Sequence, residues 1–191
     1  VDLLLVLASD VSRSVDQPKF KLQRDGYAAA LADKRVLEAI GSGRHQRIAV
    51  CFVEWSGVGA QKLLIDWMVI NGAESARKFG DNLLELPRSF AERTSISGAI
   101  DYAVNLFDQA PYKSERHTID VSGDGPNNEG HPVTDARDAA LALGITINGL
   151  PIVTEADKFD VYYLPDLDNY YRGCVIGGPK AFIQVAHGFE D

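Results

Sequence analysis

The sequence predicts an α/β protein built on a doubly wound, open, mostly parallel sheet, with one antiparallel edge strand and helices on both faces. Three observations carry this reading. Leu3 to Ala8 is an unbroken apolar run, "LLLVLA", of the kind found in strands buried on both faces. Strand-type and helix-type segments then alternate in the order β α β β α α β α β. Two strand candidates, 47–56 and 61–70, are joined around the turn Gly57-Val58-Gly59, a link too short for a parallel crossover, so they must pair as a hairpin.

Each element has a local cause. The first strand is read as Asp2 to Ser9. Asp16 or a neighbour caps a helix whose Pro18 falls in the first turn, and Phe20, Leu22, Tyr27 and Leu31 give it an apolar face down to about Ala32. A further helical piece, "KRVLEAI", stops at Gly41-Ser42-Gly43. After the hairpin, helices are expected at 73–86 and 95–109, with Pro87 and Pro111 marking their ends. "HTIDVSG" reads as a strand, "PVTDARDAALALG" as a helix with Pro132 near its start, and "ITINGLPIV" as a strand. The last 35 or so residues mix aromatics, Pro and Gly without one period; a loop or short helix is expected around Leu164 to Tyr171 and a final strand near Phe182 to Ala186. No internal repeat stands out, and residues 1–191 read as a single domain.

Composition narrows the function classes. The 191 residues are 46% hydrophobic and 24% charged, an ordinary balance for a folded globular chain. Lys and Arg number 19 against 27 Asp and Glu, a net charge of −8, and no basic cluster offers a footprint for nucleic acid. The longest apolar run falls far short of the roughly 20 residues that cross a bilayer, so no transmembrane segment is expected. The run also lacks a basic leader and a small-residue cleavage site, so it is not read as a signal peptide; a removed one would leave no trace. Cys51 and Cys174 sit in apolar contexts and read as free buried thiols, with a disulfide as the alternative; they do not fix the compartment.

Ligands of open α/β sheets bind beyond the carboxyl ends of the strands. The first strand ends in "SDVSRSVD", with Asp10, Ser12 and Ser14; the strand at 117–122 ends in Ser122-Gly123-Asp124-Gly125; and "ERTSISG" enters a helix with Thr94, Ser95 and Ser97. Asp10, Ser12, Ser14, Thr94 and Asp124 are short oxygen donors. A hard dication such as Mg²⁺ takes near-octahedral oxygen ligation at about 2.0–2.1 Å and keeps several waters, a demand that hydroxyls and water-bridged carboxylates meet. In an extended loop the three donors of D-x-S-x-S turn the same way, which would send Val11 to the core and Arg13 to solvent. The bland reading is that these residues cap the first helix; that accounts for one or two of them.

In this order, "DVSRS", then "RTSIS", then "SGDG", the sequence resembles the metal-ion-dependent adhesion site (MIDAS) of von Willebrand factor A domains, and the likeness extends to the order of elements over most of the chain. The resemblance implies that Ser12, Ser14 and Thr94 supply hydroxyl ligands, and Asp10 and Asp124 carboxylates that ligate directly or through water. It further implies a Mg²⁺ ion, or Mn²⁺ or Ca²⁺, with an open position for an Asp or Glu carboxylate of a protein partner. "LQRDGYAAAL", "IDVSGDGPNN" and "VIGGPKAF" are similar to a bacterial branch of A-like domains usually preceded by export signals, which implies a periplasmic or extracellular location. Arg13 departs from the pattern, standing where many A domains have Gly; it is read as solvated, with the alternative that it folds over the site and weakens metal or recruits an anion.

The remaining signals are weaker. Asp120, inside an apolar strand, needs a partner, either as structural pairing or in support of the site. Asn127 and Asn128 read as turn chemistry, and Trp55 and Trp67 as packing. The four histidines have no metal spacing, which disfavours zinc, and "GVGAQK" reads as a hairpin turn rather than a phosphate loop. A metal-dependent phosphohydrolase on a similar sheet is the alternative function, although an aspartyl-phosphate enzyme would want a carboxylate where Ser12 stands. A third reading is a structural interaction domain that uses the same fold without metal. The oligomeric state is left open.

Overall fold

The apolar run of the N-terminal segment becomes the centre of the sheet. The computed structural model describes residues 1–89, 92–153, 164–188 and 191. Its elements are β1 (Leu4–Asp10), α1 (Gln17–Ala32), α2 (Lys34–Gly41), β2 (Ile48–Trp55), β3 (Gln61–Ile70), α3 (Ala73–Glu85), α4 (Ile96–Asp108), β4 (His117–Gly123), α5 (Val133–Ala142), β5 (Thr146–Pro151) and α6 (Leu167–Tyr170), the last continuing into a π-helical turn, Tyr171–Val175. The strand order is β3-β2-β1-β4-β5. β1 is parallel to both its neighbours, β5 is parallel to β4, and β3 alone runs antiparallel, at one edge beside β2. The hairpin turn is closed by Ser56 N–H donating to the Ala60 carbonyl at 2.9 Å and Ala60 N–H to that of Gly57 at 3.1 Å, so "GVGAQK" is a turn.

Strand periodicity explains the layers. In β2 every residue is buried, and the two sets of side chains go to opposite faces. Ala49, Cys51, Val53 and Trp55 join Val6 and Ala8 of β1 under α4, α5 and the Leu167–Val175 segment. Val50 and Phe52 join Leu7 under α1, α2 and α3. Asp16 caps α1 by accepting from Lys19 N–H at 2.9 Å, and Pro18 sits in the first turn, where a missing N–H costs nothing. Trp55 and Trp67 are core residues, and Cys51 and Cys174 are both free; Cys51 is buried as expected, whereas Cys174 is only partly so. Among the described residues no helix is long and apolar enough to cross a membrane.

One expected strand is only partly realised. Residues 182–186 lie along β5 but form isolated bridges, Ile183 to Gly149 and Ala186 to Ile152. Gly149 exchanges hydrogen bonds with Phe182 and Gln184, and Ala186 with Pro151 and Val153. Pro151 has no N–H to donate between them, and the ladder is broken there.

The α1–α3 face holds a charge inside its core. Glu54, fully buried on β2, is paired with Arg24 of α1 at 2.5 Å. Its other oxygen accepts from Ser89 N–H at 2.9 Å and Ser89 Oγ at 2.7 Å. Arg24 also donates to the carbonyls of Leu83, Leu86 and Pro87. The pair therefore fastens the segment leaving α3 to the sheet. Breaking a buried pair from one side strands the other charge and costs about 3–5 kcal/mol. Glu54→Ala should lower the thermal midpoint by roughly 10 °C, since a chain of this size loses about 2–4 °C per kcal/mol; a melting curve shifted by less than about 2 °C would contradict this role.

Candidate metal centre

The centre is built where β1 and β4 run out. Asp10 is the last residue of β1 and fully buried. Its Oδ1 accepts from Ser12 N–H at 2.7 Å, and Val15 N–H donates to the Ser12 carbonyl at 3.0 Å. The loop is thus a tight turn rather than the extended segment expected: a short carboxylate captures the amide two residues on and curls the chain. Val11 is buried and Arg13 exposed nonetheless, as expected. Ser12 Oγ lies 3.2 Å from Ser14 Oγ, and Ser14 Oγ donates to Asp124 Oδ1 at 2.6 Å. One hydrogen-bonded chain thereby joins the ends of two adjacent parallel strands.

Thr94 is tied by its backbone to the loop that follows Asp124. Its N–H donates to Asn128 Oδ1 at 3.1 Å, and its carbonyl accepts from the N–H groups of Asn128 and Glu129 at 3.0 and 3.2 Å. Asn127 Oδ1 accepts from Ser97 N–H at 3.0 Å. The two asparagines, read from sequence as turn formers, therefore stitch the start of α4 to the loop after β4; consecutive Asn residues three positions past Asp124 were the available signal. Arg13 N–H donates to the Glu92 carbonyl at 3.1 Å, which ties the third segment to the first. Phe90 and Ala91, in the segment before Thr94, lie outside the described residues. Thus the Ser12, Ser14 and Asp124 side chains form one chain that Asp10 joins through the Ser12 backbone amide, while Thr94 is buried and bonded through its backbone to the loop after β4.

Residues not singled out by sequence support the turn from below. Arg88 Nη2 donates to the carbonyls of Val11 at 2.6 Å and Ser12 at 3.1 Å, and it follows directly on the segment that Arg24 and Glu54 hold. Lys19 Nζ donates to the Ser14 carbonyl at 2.9 Å. Asp120 points away from the site and pairs with Asn148 Nδ2 at 2.8 Å, a structural role; burial holds its carboxyl above the usual range. His131 pairs with Asp101 at the surface.

Electrostatically, the site favours added positive charge. Burial, and then the neighbouring Asp124 carboxylate, push the Asp10 carboxyl well above the usual range. Asp10 Oδ2 is buried and has no hydrogen-bond partner among the described residues. Among those residues no group of three or more His, Cys, Asp or Glu assembles. The donor set, two carboxylates with hydroxyls, suits a hard cation, and an orphaned buried carboxylate oxygen is what such a cation satisfies.

A five-stranded sheet of this order is a von Willebrand factor A-like fold, and solved structures bear it out. Proximal thread matrix protein 1 from the mussel byssus superposes with a TM-score of 0.70 at 12% identity, covering 99% of this chain and 44% of that one. The pilus adhesin SpaC from Lactobacillus rhamnosus GG gives 0.65 at 11% identity, covering 99% and 29%. A von Willebrand factor type A structure from Catenulispora acidiphila gives 0.61 at 14% identity, covering 98% and 39%. The chain spans less than half the length of each of these proteins. No curated protein matches the sequence significantly. Over residues 1–191 the chain belongs to the family described as Protein of unknown function (DUF1194).

The raised Asp10 carboxyl has a signed consequence for stability. The folded state holds that proton more tightly than the unfolded chain, so Asp10's own contribution to metal-free stability is fully present below the unfolded carboxylate value, near pH 4, and is lost as pH rises through the raised folded value. Asp10→Asn should flatten that decline and raise the metal-free melting midpoint at pH 7.5 relative to the parent. An unchanged pH profile of thermal melts in chelator would contradict the placement of Asp10.

Proposed function

We propose that this chain is a divalent-cation-dependent binding module of adhesion type. In this reading Asp10, Ser12, Ser14, Thr94 and Asp124 hold a Mg²⁺ or Mn²⁺ ion, directly or through water, and an open position takes the Asp or Glu carboxylate of a protein partner. The observation that carries the proposal is the convergence of Asp10, Ser12, Ser14 and Asp124, with a buried Asp10 oxygen left without a hydrogen bond. A dication held mainly by neutral hydroxyls keeps more of its charge than one ringed by carboxylates, and so attracts an external anion strongly.

The fold neighbours support this reading without extending to its details. One form of the mussel byssus protein has a zinc-occupied MIDAS motif, with a TM-score of 0.66 at 10% identity over all of this chain and 42% of that one. Zinc there and Mg²⁺ here differ in softness, but a hydroxyl and carboxylate set favours the harder ion. Likeness to a pilus adhesin and a byssal thread protein is in keeping with an exported binding protein. Residues 1–191 are read as one domain of this kind. The hydrolase alternative lacks support at the atom that matters, because Ser12 occupies the position where an acid/base carboxylate would follow Asp10.

Isothermal titration with Mg²⁺ and Mn²⁺ should give one site per chain, and Asp124→Ala should abolish the heat. The thermal midpoint should rise with metal, by an amount that follows the ratio of free ion to Kd. Absence of heat in the parent protein, or equal heat in Asp124→Ala, would overturn the proposal.

Capture of partner proteins from the native envelope fraction should be lost in chelator and restored by Mg²⁺. Capture that is indifferent to chelator would remove the role of the cation in binding.

A further inference from the structure

The C-terminal segment delivers one more polar atom to this site. Tyr171 opens the π-helical turn after α6, and its ring is fully buried against the sheet. Two strand glycines make room for it. A Cβ on Gly149 of β5 would stand 2.6 Å from Tyr171 Cδ1, and a Cβ on Gly123, at the end of β4, would stand 2.8 Å from Tyr171 Oη. No side chain fits at either place while the ring is there, so the ring crosses both strand ends through a slot that glycine alone leaves open.

The slot leads to the metal centre. The same Cβ position on Gly123 lies 3.1 Å from Asp10 Oδ2, so Tyr171 Oη and Asp10 Oδ2 are no more than about 6 Å apart beside Gly123. Both atoms are buried, and among the described residues neither has a hydrogen-bond partner. A phenol hydroxyl sealed away from water without a partner is costly, and buried hydroxyls that persist have one. Two orphaned oxygens, a donor and an acceptor, within that distance are close enough for a single water to join them.

We propose that Tyr171 is a positioning residue of the centre: its hydroxyl donates a hydrogen bond, through a water of the hydrated cation, on the Asp10 side of the site. It acts through Asp10 and that water and is not itself a ligand. This rests on the metal-dependent reading above. It also gives the Leu167–Val175 segment, remote in sequence from every proposed ligand, a water-mediated contact with the occupied centre. Charge supports the assignment, since burial and the nearby Asp10 and Asp124 carboxylates hold the phenol in its protonated, donating form.

Tyr171→Phe removes the one oxygen and keeps the ring in its slot. Mg²⁺ and Mn²⁺ titrations of the parent and variant, with melting curves in chelator and in saturating metal, separate the cases. The expected result is a metal affinity lower by about three- to tenfold, the worth of one hydrogen bond, with a metal-free midpoint unchanged or raised because an unsatisfied group has gone. Equal metal affinity in the two proteins overturns the assignment while leaving the metal reading intact. A fall in the metal-free midpoint that accompanies the affinity loss also overturns it, by showing that the hydroxyl supports the fold rather than the centre. If the parent itself binds neither ion, the metal reading fails and this assignment fails with it.

Discussion

The hydrogen bond from Ser14 Oγ to Asp124 Oδ1, at 2.6 Å, draws together the loops that follow β1 and β4 and places two carboxylates at the buried top of the sheet. Much of the surrounding architecture serves that juxtaposition. Carboxylates close together in a poorly solvated place repel each other and lose hydration, so the segments bearing them need independent anchors. Asp10 is held by the β1 ladder and by the Ser12 amide. The turn after it is held from outside by Arg88, on a segment fixed in turn by the buried Arg24–Glu54 pair.

The arrangement explains why the site spends stability rather than contributing it. Loops pinned by distant, well-satisfied pairs stay in place even though their own charges oppose folding. Asn127 and Asn128 do the same for the third segment, fastening Thr94 and the first turn of α4 to the loop that follows Asp124. Hydroxyls occupy the positions between the carboxylates, so a bound dication would be only partly neutralised by the protein. In the proposed function, that residual charge is what would attract a partner's carboxylate.

Much of this was legible from local sequence. The Leu3–Ala8 run, the hairpin link too short for a crossover, and the Asp16–Pro18 helix start are all decided by neighbours in the chain, and the structure contains each of them. Four of the candidate ligands were visible as short oxygen donors at or just past strand ends, and Thr94 as one just before a helix. What stayed hidden depends on contacts between distant segments. Glu54 lies inside an apolar strand and Arg24 inside a helix 30 residues away, and no period relates them. Tyr171 is one of several aromatic residues in a stretch with no clear period, and only the Gly123 and Gly149 slot singles it out. The final strand was overread because the apolar pattern of 182–186 says nothing of Pro151 on the neighbouring strand, whose missing N–H interrupts the ladder. The turn at Ser12 was likewise read as extended, because the capture of its amide by Asp10 overrides the alternation of an open loop.

The central claim is that one hard dication binds at the top of β1 and β4, and the location itself is measurable. Substoichiometric Mn²⁺ added to isotope-labelled protein broadens the NMR signals of amides near the bound ion. The account predicts broadening centred on Asp10 to Ser14, Thr94 and Asp124, removed by excess Mg²⁺. Broadening centred elsewhere, or none at these amides, would contradict it.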